Sequence, residues 1–512
     1  MHQRELGSGS QAIYNPAFFV FNCLGELLAY IQFLGAAGTV TGSKHLINTN
    51  DDGSSHGGFQ VLIDCGLFQG QKEWRERNWQ EPPLPAQDID AVILTHAHLD
   101  HCGWIPRLVK EGYVGPIYAT QATIDLCGIL LPDSGHLQEE DAAFHNKKKT
   151  SKHEPALPLY TFEEAQACLS QFVAVDFEQS KQLRPDFSFR FVRAAHIIGS
   201  SMVEVNIKGS GKQQKLLFTG DIGRVRDSQI APGRVAHYGP VEGESADLLV
   251  MESTYGNRLH PKDDPRPELA QLIRNTVKRG GSIVVPAFAV ERTQKFLFML
   301  KELMEAGEIP RLPVFADSPM AIEAVKIYLK HSEEFTEEAK ALIARYGSPL
   351  EWQGFTFAKT QEESKRINDS KFPCIIVSSS GMVTGGRIQH HLLQRLPDPR
   401  NLILFIGFQA PGTRGATIKA GSTEVKIFGE IVPIRAQVAA LEQFSDHADT
   451  PELLEWLGTF TAPPRITYLV HGEPDSAEQL RQAITRELRW KVNIAEWKER
   501  VSLNGLAAAI SR

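Results

Sequence analysis

Thr95-His96-Ala97-His98-Leu99-Asp100-His101-Cys102-Gly103 places three histidines and an aspartate within six residues, directly after the apolar run Ala91-Val92-Ile93-Leu94. Neutral imidazole offers a nitrogen lone pair and Asp a hard oxygen, a mixture that suits zinc and similar divalent metals. His96 and His98 are two apart, as are His98 and Asp100, so strand alternation aims one subset together while the following loop redirects the rest. This spacing favours two metals side by side over one closed structural site, and paired metals are a standard route to phosphate-ester hydrolysis. Residues of the same kind recur where apolar runs end. Asp64 follows Gln60–Ile63, His196 follows Phe191–Ala195, Asp221 follows Leu216–Gly220 and His471 follows Tyr468–Val470, each with a glycine close behind. Any one of them alone reads as an ordinary polar strand cap. Their repetition argues for one site at one edge of a sheet.

The elements that must position these residues change character along the chain. Tyr30–Gly35, Gln60–Gly66 and Ala91–Thr95 read as strands, and Met202–Ile207, the turn Gly209-Ser210-Gly211 and Lys215–Phe218 as a hairpin. Gly209–Lys212 is no phosphate-binding P-loop, because Gln213 replaces the required Ser or Thr. Pro132–Tyr160, with Lys147-Lys148-Lys149, reads as a solvated surface insertion. From about residue 254, short continuous apolar strands (282–287, 312–316, 374–378, 402–407) alternate with helix-period segments (266–279, 290–306, 318–331, 385–396). That rhythm predicts a parallel sheet covered on both faces, in a separate α/β domain. Helices over 451–459 and 477–489 flank a last strand, Ile466–Val470.

Bulk composition bounds the function. At 512 residues the chain exceeds one ordinary core. Hydrophobic content of 42% and charged content of 22% describe a globular protein. A net charge of −7, from 61 acidic and 54 basic residues, confines any nucleic-acid-binding track to a cleft. Six scattered cysteines without a CxxC pair fit free thiols in a reducing cytoplasm. Asn15, Pro16, Asn22 and Glu26 interrupt the apolar stretch 12–31, so no membrane span or membrane partner is expected. Residues 1–29 read as an N-terminal extension.

In order, Asp64, the HxHxDH of 96–101, His196 and Asp221 resemble the four motifs of the metallo-β-lactamase fold hydrolases. Further on, Met251-Glu252-Ser253-Thr254-Tyr255-Gly256, Phe444-Ser445-Asp446-His447-Ala448-Asp449 and Val470-His471-Gly472-Glu473 resemble motifs A, B and C of the β-CASP branch, which contains RNA- and DNA-processing nucleases. Gly35–Ser43 and Pro286-Ala287-Phe288-Ala289-Val290-Glu291-Arg292 are similar to the compact prokaryotic members, relatives of the eukaryotic pre-mRNA 3′-end endonuclease. The resemblance spans roughly residues 30–512. It implies an α/β fold in which an αββα metallo-β-lactamase sandwich, residues 30–250 and 436–512, carries an inserted β-CASP domain over 251–435.

The resemblance also implies two Zn2+ per chain. His96, His98 and His196 would hold one, Asp100, His101 and His471 the other, with Asp221 bridging. Asp64 would stand behind them, orienting a ligating His. A hydroxide between the metals would attack the phosphodiester. His447, oriented by Glu252, would protonate the leaving 3′ oxygen, giving a 5′-phosphate and a 3′-hydroxyl. His at motif C, where DNA-repair members typically carry an apolar residue, points to single-stranded RNA as the substrate. Endonucleolytic action is expected ahead of exonucleolytic. The Gly-rich segment Ser378–Arg387 could receive phosphate through Ser380, Gly381 and Arg387, or serve only as a tight turn. Arg258, Arg292, Lys295 and the 412–415 loop are candidates for a basic track. The alternatives are a small-molecule hydrolase of the same fold (a thioesterase or lactonase), a DNA-directed nuclease, and a silent RNA-binding subunit. The first lacks an insertion, against about 250 residues between Asp221 and His471 here. The last has lost ligands that are all present here. A homodimer is compatible with this reading.

Overall fold

The protein is described from a computed structural model covering residues 29–49, 58–81, 84–151, 153–208, 213–224, 245–335, 337–348, 352–370, 372–407, 409 and 412–503. Residues 1–28 of the N-terminal extension and the hairpin turn at 209–212 lie outside the described residues.

Apolar side chains along Tyr30–Phe33, His45–Asn48 and Gln60–Ile63 fix an antiparallel ladder with Ile31 opposite Ile47 and Leu46 opposite Leu62. A one-residue slip would turn its buried face outward. Parallel pairing adds Ala91–Ile93, Ile117–Ala119 and Phe172–Ala174, and Arg500–Ser502 closes the other edge, giving seven strands. A second seven-stranded sheet runs in the order Val492–Ile494, Ile466–Val470, Leu248–Glu252, Gln213–Phe218, Ser201–Lys208, Phe187–Arg193, Lys181–Arg184. The two sheets face each other through Ile31, Phe33, Ile63 and Ile93 on one side and Phe189, Phe191, Val205 and Phe218 on the other. Truncating a fully buried Phe such as Phe189 would cost about 3–5 kcal/mol. Helices Ile105–Lys110, Gln121–Lys148 and Phe162–Cys168 cover the first sheet's outer face, and Thr450–Leu457 and Pro474–Glu487 cover the second. The result is the expected αββα sandwich.

Between Leu248–Glu252 and Ile466–Val470, which are parallel neighbours, the chain builds a six-stranded, wholly parallel sheet. Its order is Phe355–Phe357, Val314–Asp317, Ile375–Ser378, Ile283–Pro286, Leu402–Phe405, Gln437–Ala440. Apolar clusters cover both faces, which is why its strands read as continuous apolar runs. Gln437–Ala440 pairs with Leu402–Phe405, so this sheet extends past residue 436, where the sequence reading returned the chain to the sandwich. A short edge strand of mixed polarity carries no apolar run to announce it.

Pro132–Tyr160 also differs from expectation. Residues 121–148 form one helix, with Leu126, Leu130, Leu131 and Pro132 buried and a charged, exposed far end. Tyr160 is fully buried and meets Ser134 Oγ at 2.8 Å. Polarity alone suggested a surface insertion because only the first half of this helix is covered.

The same helix anchors the inserted domain. Asp125 accepts from Lys330 Nζ at 2.5 Å and His331 Nε2 at 2.7 Å. Nearby, Glu334 accepts from the Gly199 amide at 3.1 Å and Arg193 at 3.4 Å. The insertion is thereby tied to the loop that carries His196. No helix among the described residues is long and apolar enough to cross a membrane, and the five described cysteines are buried free thiols.

Candidate metal centre

Strands from both sheets end at one edge, and their terminal residues carry the polar groups. Three of these occupy left-handed backbone that side chains rarely adopt: Asp64 at φ 61°, Ala195 at φ 58° and His471 at φ 51°. Strain of this kind collects at functional sites. The 65–67 loop is laced to the 99–104 segment: Cys65 N–H donates to His101 O (2.7 Å), Leu67 N–H to Leu99 O (2.8 Å) and Trp104 N–H to Cys65 O (2.9 Å). A Cβ at Gly66 would fall 1.6 Å from the Asp100 carbonyl oxygen, and one at Gly223 would fall 1.7 Å from that of Ala195. Only glycine permits these approaches.

Asp64 is the hub behind the metal-capable groups. Its Oδ1 accepts from Thr95 N–H at 2.8 Å, and its Oδ2 from the Thr95 hydroxyl at 2.9 Å and from His101 Nδ1 at 2.7 Å. With its Nδ1 proton committed to Asp64, His101 turns Nε2 toward Asp221 Oδ1 (3.3 Å) and His471 Nε2 (3.2 Å). Thr254 fixes His471 from the other side, its hydroxyl meeting Nδ1 at 3.0 Å and the carbonyl at 2.9 Å.

Two groups of side chains converge: His96, His98, His196 and Asp221, and beside them Asp100, His101 and His471. His98 Nδ1 lies 3.1 Å from His96 Nε2 and 3.2 Å from His196 Nε2. Asp221 Oδ2 is 3.5 Å from His96 Nε2 and from His196 Nε2. Asp221 Oδ1 and His196 Nδ1 are buried without a well-formed hydrogen bond. A buried carboxylate oxygen ringed by imidazole nitrogens is costly unless a proton or a metal cation satisfies it.

The electrostatics agree. Burial above all holds His98 down to about 4, and His96 and His196 well below the usual imidazole value, so these three present neutral donors. Burial opposes charge on His101 too, but the Asp221 and Asp64 carboxylates outweigh it and raise that imidazole, placing a proton where a metal competes. The donor set fits divalent metal.

Residues 54–254 match the metallo-β-lactamase superfamily, 293–418 the Beta-Casp domain, and 431–495 the Zn-dependent metallo-hydrolase RNA specificity domain. The chain is 37% identical over 442 residues to ribonuclease TTHA0252 of Thermus thermophilus, covering 86% of this chain and 92% of that one. It belongs to the β-CASP family of metallo-β-lactamase fold hydrolases. The transcription termination factor FttA of Methanocaldococcus jannaschii is 31% identical over 483 residues, covering 92% of this chain and 72% of that one. The chain is thus a metal-dependent hydrolase of the β-CASP family, and the two histidine–carboxylate groups are its candidate metal-binding clusters.

In this β-CASP protein His447 stands beside the clusters rather than within either of them. Its Nδ1 meets Glu252 Oε2 at 3.0 Å, while its Nε2 is 3.9 Å from Asp221 Oδ2. Burial disfavours its charge, but Glu252 and then Asp221 prevail and raise it to about 9, so it is protonated at neutral pH. Glu252 is fully buried and accepts from the Ile222 amide.

The expected phosphate contacts fare unequally. Arg292 lies by Asp446 (Nε to Oδ2, 3.6 Å) and its charge is felt at His98 and His447. Arg258 is exposed above the Tyr255 ring. Arg387 is turned inward, donating to Asp317 Oδ1 (2.7 Å) and to the Ala358 (2.9 Å) and Lys359 (3.1 Å) carbonyls. Ser380 Oγ accepts from the Thr384 amide at 3.1 Å within its own loop, and Gly381 packs beneath Phe288. Lys295 is buried in ion pairs with Asp446 and Glu291. Sequence reasoning missed the buried acidic partners of these cations, and it missed His260, whose Nε2 donates to the His447 carbonyl at 2.8 Å. No apolar run precedes His260, so spacing gave no signal.

Proposed function

We propose that this β-CASP hydrolase is a two-zinc ribonuclease that cuts single-stranded RNA endonucleolytically, leaving 5′-phosphate and 3′-hydroxyl ends. The observation that carries this reading is the pair of histidine–carboxylate clusters with Asp221 between them at a sheet edge beside an inserted domain. His96, His98, His196 and Asp221 would hold one ion, and Asp100, His101, His471 and Asp221 the second. Bound zinc would supply Lewis acidity toward phosphoryl oxygen and lower the pKa of water to about 7.

The chain's own groups do the rest. Glu252 holds His447 Nδ1, which leaves Nε2 to hand a proton to the departing 3′ oxygen. Arg292 of the inserted domain, whose charge reaches His98 and His447, would meet a non-bridging phosphate oxygen. In this reading 30–250 and the C-terminal part form the hydrolase sandwich, and the inserted domain closes over the strand. The names of the relatives, a ribonuclease and a transcription termination factor, and of the RNA specificity domain favour RNA over a thioester or lactone.

The deciding experiment incubates linear 5′-labelled RNA, circular RNA and matched single-stranded DNA with the protein, with and without chelator. Zinc-restorable cleavage of both RNAs is expected, falling steeply as salt rises. Intact circular RNA would overturn the endonucleolytic mode, and intact RNA beside a hydrolysed thioester would overturn the reading itself.

A further inference from the structure

Three charged side chains of the inserted domain, Glu291, Arg292 and Lys295, gather around Asp446 in the segment that carries His447. Glu291, Lys295 and Asp446 are each 3% exposed or less. Lys295 Nζ bonds the Asp446 carboxylate and stands 2.7 Å from Glu291 Oε1. The other Asp446 oxygen faces Arg292 Nε at 3.6 Å. The second Glu291 oxygen accepts from the Tyr328 hydroxyl at 2.5 Å, and Tyr328 also bonds the Ile198 backbone, two residues past His196. Glu291 holds a left-handed backbone, φ 70°, to make these contacts.

We propose that Lys295 is a positioning residue: a buried cation of the inserted domain that pins Asp446 and so sets His447 against the metal-ligand clusters. The inference rests on the nuclease reading above. Buried ion pairs are a poor way to gain stability, since apolar residues of similar volume do as well or better, and their attested use is to fix one arrangement. Here the arrangement is specific. His447 is held at its ring by Glu252 and at its carbonyl by His260. The next residue is held too, by Ala448 N–H donating to Ile222 O at 2.8 Å. Gly223 pairs with His447 in an isolated β-bridge. Asp446 is a further handle, and its partner comes from 151 residues away in the chain. Burial opposes the Asp446 charge, yet Lys295 and then Arg292 hold that carboxyl far below the usual range, so the clamp stays ionised.

The test uses the full zinc-loaded chain. Lys295→Met is combined with Glu291→Gln, so that Glu291 is not left charged and unpaired while Asp446 keeps only Arg292, and Lys295→Arg serves as the conservative variant. Two substrates are compared: single-stranded RNA, and bis(p-nitrophenyl) phosphate, whose leaving group departs without a proton. The double variant should keep its zinc and hydrolyse the nitrophenyl ester within about twofold of the parent, while RNA kcat falls roughly tenfold or more at unchanged KM. Lys295→Arg should recover most of that loss. Equal losses on both substrates, or RNA cleavage within about twofold of the parent, would overturn the inference. A second readout needs no RNA. In 15N-histidine-labelled protein, the His447 imidazole N–H bonded to Glu252 should shift or broaden in the double variant, and an unchanged signal would overturn the inference equally. Failure of the parent to cut RNA would instead sink the nuclease reading, leaving the spectrum to decide the role of Lys295.

Discussion

Asp221 and His471 lie about 250 residues apart in the chain, yet Asp221 Oδ1 is 3.4 Å from His471 Nδ1. One carboxylate therefore faces both clusters: His96 and His196 on its Oδ2 side, His101 and His471 on its Oδ1 side. Asp221→Ala should strip most bound metal and reduce RNA cleavage to background. Metal content by atomic emission, measured beside cleavage, checks this; full zinc with full activity would refute the bridging role.

Asp64 stands behind the candidate metal ligands and accepts four hydrogen bonds, from Ser43, His101 and twice from Thr95. Asp64→Asn puts an amide donor against one of these donors and frees the His101 tautomer. Metal affinity should weaken by roughly 10- to 100-fold, chiefly at the His101 site, as read by chelator competition. Unchanged affinity for both ions would make Asp64 a fold residue only.

His447→Ala should retain both metals and slow RNA cleavage by about 10²- to 10⁴-fold. The same variant should lose far less on bis(p-nitrophenyl) phosphate. Metal loss in this variant would recast His447 as a ligand.

Asp317 anchors the inserted domain away from the histidine–carboxylate clusters. Burial opposes its charge, but hydrogen bonds from His391 (2.6 Å), Ser364 (2.5 Å) and Arg387 (2.7 Å) outweigh this and hold its carboxyl below the usual range. A depressed carboxyl contributes stability that is complete above its unfolded pKa, near 4, and is lost as pH falls through the folded value. Asp317→Asn should therefore lower stability by about 3 kcal/mol at pH 7. The gap to the parent should narrow only below about pH 4, as urea unfolding across pH will show. A gap that widens on acidification would contradict the sign.

Much of this was legible in the linear chain because strand ends are local. An apolar run followed by Asp or His and then glycine is visible without knowing the fold, which is how Asp64, His196, Asp221 and His471 could be nominated beside His96–His101. Alternating strands and helices likewise announced the parallel inserted sheet. The edge strand Gln437–Ala440 and the half-covered helix Gln121–Lys148 were not legible, because their boundaries depend on what packs against them.

By itself, the sequence determined the types of donor, their order along the chain and the class of fold that could gather them, since residue chemistry and apolar periodicity are written locally. Only the tertiary structure decided which cations are already paired. Arg387 and Lys295 read as phosphate contacts until Asp317, Asp446 and Glu291, distant in sequence or hidden on a helix, claimed them. Charge pairing is a property of three-dimensional neighbours, and burial makes an unpaired partner too costly to leave.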